Sequence, residues 1–278
     1  MCASDQPEWR KDSYLFLRQC CLGLDCGQQM IGKLLILLVS AHLAVANPAA
    51  DQLTQSGIAE FTSAYQKWDH AGFVKAADSF DKAKVANPAS SVHPTWLGVA
   101  RFHEILQKQS INDPNAAKNA MDGAIQALEL AIKIQPVNPE AHAILSTIYG
   151  MKIQASPISA IRFGSSVMKH KKAALQHGPS NPRVRYLIGA GLFHTAKDDA
   201  SRHEALTSLL AAEKLFQAEA KIKSQPLDHR WGHSACLTFI ARTYESLQMP
   251  KEAKSYYQKA ITLHPSDHTA KAALERLK

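Results

Sequence analysis

Residues 237–265 read LTFIARTYESLQMPKEAKSYYQKAITLHP, and the spacing of small and large side chains in this stretch predicts two packed helices. Small residues recur at Ala241, Ala253 and Ala260, where two helices can approach each other closely. Larger apolar or aromatic residues stand before and between them at helical spacing, namely Leu237, Ile240, Tyr244 and Tyr257. The helical pattern ends at Pro265, because a proline ring cannot continue a helix.

Similar helical patterns that end in proline recur upstream. Residues 132–139 (IKIQPVNP) have a counterpart in residues 175–182 (LQHGPSNP), and their first prolines are 43 residues apart. The spacing of Ala76, Phe80 and Ala83 matches that of Ala124, Leu128 and Ala131, and both match the last unit. The chain is therefore predicted to contain an internal repeat, which dictates its architecture.

The last unit resembles the tetratricopeptide-repeat (TPR) pattern W-x2-L-G-x2-Y, then A-x3-F, then A and P, at all eight signature positions. The resemblance covers about residues 57–278 and implies an all-α fold, a TPR-type α-solenoid of about five antiparallel helix pairs. The long repeats are similar to those of a group of exported bacterial TPR proteins. The alternative is a helical bundle without repeats, in which the alanine spacing is accidental.

The repeats are expected at about 57–90, 91–138, 139–181, 182–228 and 229–267, with a C-terminal capping helix at 268–278 and a linker at 47–56. Successive repeat-ending prolines lie 48, 43, 47 and 39 residues apart, which is longer than the standard repeat. The extra residues are expected as insertions rich in turn residues, at 112–115, 156–157 and 195–202.

An export signal is predicted upstream of the repeats. A short positive region follows Met30, an apolar run extends from Leu34 to Leu43, and a small-x-small cleavage site ends at Ala46. The predicted localisation is therefore periplasmic or secreted, and the alternative is membrane anchoring by an uncleaved signal. Translation is expected to start at Met30, so that residues 1–29 would be a removed leader or a gene-model artefact.

The chain carries a formal net charge of +8, which favours an acidic partner. The basic residues are scattered, and the single run, residues 169–172, is interpreted as a solvated helix face because no nucleic-acid recognition module accompanies it. Four of the five cysteines lie in the first 26 residues, which leaves Cys236 alone downstream. One thiol cannot form a zinc site or a redox pair, and neither a cofactor nor nucleic acid is expected.

The sequence does not support a catalytic site. Residues 164–166 (GSS) lack the second glycine of a nucleophile elbow, and Cys236 falls in the core pattern of its helix. His229 and His233 are four residues apart and could share a metal ion, but two ligands are too few. They are interpreted as capping and surface residues near a helix start, with Asp228 as the N-cap.

The TPR resemblance implies that positions 2, 5, 9, 12 and 13 of each repeat face a concave groove. Arg183, Arg242 and His194 are expected to hold an acidic group or a C-terminal carboxylate. Tyr186 and Phe193 are expected to offer apolar contact, although both could instead pack between repeats. The complete predicted partner-binding groove is Arg183, Tyr186, Ala190, Phe193, His194, Thr147, Thr238, Arg242 and Glu245.

Three functional hypotheses follow. The first is a non-catalytic scaffold that binds a peptide or partner protein in its groove. The second is a structural or assembly factor of an envelope complex, and the third is a metal-binding protein that uses its histidines. The repeat pattern favours the first, because repeat stacks expose extended concave binding surfaces.

Overall fold

The computed structural model describes residues 47–154 and 157–277. This part of the chain is helical and contains no strand, which confirms the all-α prediction. Ten helices form five consecutive pairs and an eleventh follows them, as expected for the solenoid: α1 (Pro48–Lys67), α2 (His70–Ala86), α3 (Val92–Ser110), α4 (Pro114–Ile134), α5 (Pro139–Gln154), α6 (Pro157–His177), α7 (Pro182–Thr195), α8 (Asp199–Glu219), α9 (His233–Ser246), α10 (Pro250–Leu263) and α11 (His268–Arg276). The predicted leader (1–29) and signal segment (30–46) lie outside the described residues.

Short polar side chains begin many of the helices. Asn47, Asp113 and Asn181 each accept a hydrogen bond from a backbone N–H of the first turn that follows them. In all three helices a proline occupies the first turn, where its missing N–H costs nothing. The prolines that end one repeat and the prolines that open the next thus mark real helix boundaries.

The helices pack through the small and large residues that the repeat pattern singles out. Ala253 and Ala260 are fully buried, and so is the Tyr257 ring between them. The equivalent contact in the second pair needs a glycine, because a Cβ at Gly98 would lie 2.4 Å from Leu128 Cδ2. Close helix approach therefore depends on the residues that the sequence pattern selects.

Hydrogen bonds tie the third pair, the fourth pair and α11 to the first helix of the pair before each of them. Asn138 Nδ2 donates to Thr95 Oγ1 at 2.8 Å, and Asn181 Nδ2 donates to Glu140 Oε1 at 2.9 Å. The Thr238 hydroxyl donates to Asp267 Oδ2 at 2.9 Å in the same way. These residues sit at repeat junctions, so the bonds fix how successive pairs stack.

The first pair begins earlier than predicted. Residues 47–56 are not a linker, because α1 starts at Pro48 and Asn47 caps it. The Asn47 side chain also donates to the carbonyl of Ala86 at 2.8 Å, which ties the start of α1 to the end of α2. The TPR pattern begins inside this helix and so could not mark its first turns.

The extra repeat length is not where it was expected. The connections at 111–113 and 196–198 are short, and residue 156 lies outside the described residues. Instead, α4, α6 and α8 each contain 21 residues, whereas α10 in the fifth repeat contains 14. The long connection is residues 220–232, between α8 and α9.

Candidate functional site

Residues 220–232, here called the inner strap, lie against α3, the first helix of the second pair. Trp96 Nε1 donates to the carbonyl of Leu227 at 3.1 Å, and the Trp231 ring meets His103 edge-on with centroids 5.3 Å apart. Trp96 is 1% exposed and Trp231 is 6% exposed. The inner surface of α3 around Trp96 and His103 is therefore covered by the chain itself and is not an open groove.

The first pair also meets the fifth. The Tyr65 hydroxyl lies 2.9 Å from Ser234 Oγ, and the Tyr65 ring stacks on His264 with centroids 4.9 Å apart. His264 Nε2 lies 3.2 Å from the carbonyl oxygen of Gln66. Burial, which outweighs the hydrogen bond with Ser234, raises the pKa of Tyr65 to about 12. These contacts leave the open part of the inner surface to α5, α7 and α9.

Arg183 is not a groove residue, which corrects the prediction. Its side chain is buried, and its Nε lies 2.7 Å from Glu140 Oε1 while its Nη1 donates to Glu219 Oε2 at 2.9 Å. A second guanidinium nitrogen also contacts Glu219. Because two carboxylates already saturate the guanidinium, Arg183 holds the stack together and cannot receive a partner's acidic group.

His229 belongs to the same buried network. Its Nδ1 lies 3.0 Å from Glu140 Oε2, and its ring meets Trp96 edge-on at a centroid distance of 4.8 Å. Burial alone would raise the pKa of Glu140, but the attraction of His229 and Arg183 outweighs it and lowers that pKa to about 2. Glu140 is therefore a carboxylate anion that Arg183 and His229 stabilise.

The predicted interpretation of the start of α9 was also wrong. The helix begins at His233 after Gly232, whose φ of 94° suits glycine, and Asp228 instead accepts the Gln225 N–H inside the strap. His233 stacks on Phe216 with ring centroids 5.0 Å apart, whereas His229 points at Glu140. Two imidazoles directed to different neighbours do not form a metal site, and no cluster of three potential metal ligands occurs in the described part of the chain.

Four further predicted groove residues are wholly or partly buried in the stack. Tyr186 and Ala190 are buried, and the Tyr186 ring lies 6.0 Å from Phe239. The Thr238 hydroxyl already donates its hydrogen bond to Asp267 at the repeat junction. Thr147 is half-buried, and its hydroxyl donates to the Ala143 carbonyl at 3.0 Å. These residues shape the inner surface more than they present groups to a partner.

Phe193, His194 and Arg242 do come together on the surface, joined by Phe239, and these four residues are called the aromatic–arginine patch. The Arg242 Cζ lies 4.8 Å from the Phe193 centroid and 5.1 Å from the Phe239 centroid. His194 is exposed and meets Phe239 edge-on at 5.5 Å. Partial burial, with a contribution from Arg242, lowers the pKa of His194. Two rings thus hold the guanidinium in place while its hydrogen-bond donors stay available.

A cavity of about 750 Å³ opens beside the patch, lined in part by α9 and α11. Glu245 lies in its wall, where it accepts a hydrogen bond from the Tyr257 hydroxyl at 2.9 Å and pairs with Arg276 at 2.7 Å. Arg242 lines the same cavity, and no carboxylate pairs with it within the described ranges. Of the two predicted charged contacts here, Arg242 is therefore open and Glu245 is occupied.

A second cavity of about 330 Å³, the apolar cleft, lies between the third and fourth pairs. Its walls come mainly from α5, α6 and α7, and it reaches Phe239 of the patch. Val167 and Met168 of α6 line it opposite Ile188 and Leu192 of α7. Such an apolar cavity is large enough to receive several side chains of a ligand.

Sequence reasoning missed Phe239 and the depth of the cleft, although four predicted groove residues line it: Thr147, Tyr186, Ala190 and His194. Phe239 does not stand at a repeat position that TPR resemblance assigns to the groove, so only its contacts reveal it. The cleft arises because α6 and α7 do not close on each other, and no signature position encodes that separation.

Cys236 is a core residue, as predicted. It is fully buried, and its thiol donates to the Leu209 carbonyl at 3.6 Å. Burial, the largest influence, raises the pKa of the thiol far above its usual range. A buried neutral thiol is a poor nucleophile.

None of the helices within residues 47–154 and 157–277 is long and apolar enough to cross a membrane.

One segment of the chain matches a known repeat family. Residues 235–267 match the family model described as "Tetratricopeptide repeat". No curated protein sequence is significantly similar to the chain. A solved thermophilic TPR protein of Thermus thermophilus is 16% identical, with a TM-score of 0.56 over 82% of this chain and 98% of that one. YrrB, described as a TPR protein with an unusual peptide-binding site, is 15% identical over 82% and 96%, with a TM-score of 0.37.

The likeness to the Thermus thermophilus protein concerns the fold alone, and it agrees with the helix pairs described above. The matched segment coincides with α9 and α10, whose signature residues form the buried contact of the fifth pair. The repeat pattern, the family match over residues 235–267 and the helix-pair architecture together identify the fold as a TPR-type α-solenoid with a tetratricopeptide repeat at α9 and α10.

Proposed function

We propose that this chain is an exported, non-catalytic scaffold that binds a segment of another protein on the aromatic–arginine patch. TPR proteins generally act as interaction scaffolds, and such stacks bind ligands on their inner surface. Here the strap and the first pair cover much of that surface. The patch on α7 and α9 belongs to the part that remains open.

The observation that carries the proposal is the state of Arg242. The side chain is half-buried and held over Phe193 and Phe239, yet no carboxylate of the described residues pairs with it. A guanidinium fixed in this way loses little freedom when an acceptor binds it. A carboxylate from a partner, either a side chain or a C-terminus, would fit this position.

We expect Arg242→Ala to weaken partner binding by about tenfold to a hundredfold, because a charge-assisted hydrogen bond is worth about 1.5–3 kcal/mol. The partner would be identified by mass spectrometry after purification with the tagged chain from its source cells, and its affinity would then be measured with pure components. The matched control is Arg202→Ala, which removes a guanidinium paired with Asp199 on α8. Equal affinities for wild type and Arg242→Ala would refute binding at the patch.

Export is the second part of the proposal and rests on the sequence from Met30 to Ala46. It is supported by the position of α1, because cleavage after Ala46 would leave Asn47 as the first residue, directly before the helix it caps. N-terminal sequencing of the mature protein is expected to begin at Asn47. A mature chain that begins near Met1 would contradict both export and the expected start site, and one that begins at Met30 would indicate an uncleaved anchor.

A further inference from the structure

Most of the net positive charge of the chain comes from one segment. Residues 139–197 contain eight Lys or Arg residues and a single acidic residue, Glu140. This segment therefore has a formal charge of +7, out of +8 for the whole chain. Glu140 is buried against Arg183, so it does not offset the charge at the surface. The helices that carry this excess, α5, α6 and α7, are those that line most of the apolar cleft.

The cleft is apolar and unfilled. Met168 lines it and is 64% exposed, which is unusual for a large apolar side chain. Gly150 and Gly191 also line it, and a Cβ added at either position would meet nothing within 4 Å. The wall of the cleft therefore has open space at two helical positions that carry no side chain.

Cations stand at the edge of the cleft. Lys171 is one of its lining residues, and Lys169 and Lys172 flank it on α6. None of these three lysines forms an ion pair with a carboxylate within the described ranges, whereas Lys152 on α5 pairs with Asp122 at 2.9 Å. An apolar cleft with an unpaired lysine in its wall and two more close by on the same helix matches a ligand that has an apolar face and negative charge beside it.

We propose that the cleft receives the apolar face of an acidic amphipathic helix from a partner protein. This inference rests on the proposed scaffold function and assigns it a second contact, adjacent to the aromatic–arginine patch through Phe239. Leu or Ile side chains at spacing i, i+3 or i+4 and i+7 would enter the cleft, and Glu or Asp on the flanks would meet the lysines. A flat bilayer would reach exposed Met168 but not the buried walls at Leu187 and Ala190.

The test starts from a displayed library of random 16-residue peptides selected on the full chain. Peptides that also bind Gly191→Leu are removed, because that substitution fills the cleft from a position with open space around it. We expect the surviving peptides to be acidic and to show the apolar spacing of one helix face. Their affinity should fall as the salt concentration rises, because Lys169 and Lys172 are exposed to solvent and Lys171 is partly exposed.

A selected peptide, made synthetically, is then titrated into purified variants. Gly191→Leu and Lys171→Glu should each weaken binding at least about tenfold, which corresponds to about 1.4 kcal/mol. The matched controls on α4, Gly123→Leu and Lys118→Glu, should bind as wild type does. Circular dichroism melting curves of all four variants verify folding, and leucine in place of a helical glycine should not lower stability.

Three results would overturn the inference. The first is a selection that yields no peptide whose binding depends on an open cleft. The second is a set of selected peptides that are neutral or basic. The third is a chain that binds no peptide but binds phosphatidylglycerol vesicles equally well with and without Gly191→Leu. If Arg242→Ala abolishes binding of the native partner and Gly191→Leu does not, the scaffold function stands and the cleft assignment fails. If neither substitution affects that partner, both fail.

Discussion

Replacing Arg183 with alanine is expected to lower the free energy of unfolding by about 3–5 kcal/mol, the typical cost of removing one partner from a buried ion pair. The guanidinium lies between Glu140 and Glu219, and Glu140 is 5% exposed. Without Arg183, Glu140 would keep only Asn181 and His229 as polar neighbours. Urea unfolding followed by circular dichroism at 222 nm, the helix band, measures the loss at about neutral pH.

The control for this prediction is Arg185→Ala, two residues further along α7. The Arg185 Nε donates to the Pro179 carbonyl at 2.8 Å and pairs with no carboxylate in the described part of the chain, so its removal should cost about 1 kcal/mol or less. Adding Glu140→Gln to Arg183→Ala should recover part of the loss, because it removes the uncompensated charge. A loss below about 1 kcal/mol for Arg183→Ala would show that the network is not needed for stability.

Acid is expected to destabilise the fold in two steps. His103 is buried among aromatic rings, and burial lowers its pKa to about 4. The unfolded chain therefore binds a proton at this position between pH 6.5 and 4 when the folded chain does not, so stability falls as the pH falls through that range. The contribution of one such group is at most about 3 kcal/mol.

The second step comes from Glu140, whose pKa is about 2 in the folded chain. Its stabilising contribution is complete above the unfolded pKa of about 4.3 and is lost as the pH falls toward 2. Urea unfolding at a series of pH values from 7 to 3 measures both steps. His103→Phe should reduce the first step but not abolish it, because burial also lowers the pKa of His170 to about 4. A free energy of unfolding that stays constant between pH 7 and 5 would contradict the neutral burial of His103.

Much of the fold could be predicted from the sequence because TPR packing depends on a few residue types at fixed spacing. Ala241, Ala253 and Tyr257 indicated the fifth pair, and prolines marked the helix ends. The start of α1 could not be predicted, since Asn47 and Pro48 precede the repeat pattern. The 21-residue helices were mistaken for insertions because a longer helix and a longer loop change the distance between prolines equally.

The site was harder to predict, because position in a repeat does not determine what a side chain contacts. Arg183 and Arg242 both occupy repeat positions that the TPR resemblance assigns to the groove. Yet Arg183 is neutralised by carboxylates from other pairs, and Arg242 lies over two rings. The inner strap could not be placed from its sequence, although its composition, with Trp231 and His229, differs from an exposed loop. The charge excess of residues 139–197 was readable in the sequence, but its meaning depends on the cleft.

The most direct test of the central claim is site-specific photo-cross-linking in the source cells. A benzophenone amino acid would replace Phe193 in the aromatic–arginine patch, and in a second strain it would replace Thr207, which is exposed on α8. The scaffold account predicts one dominant cross-linked protein for position 193 that is absent for position 207 and reduced by Arg242→Ala. A cross-linked partner at position 207 with none at position 193 would contradict it.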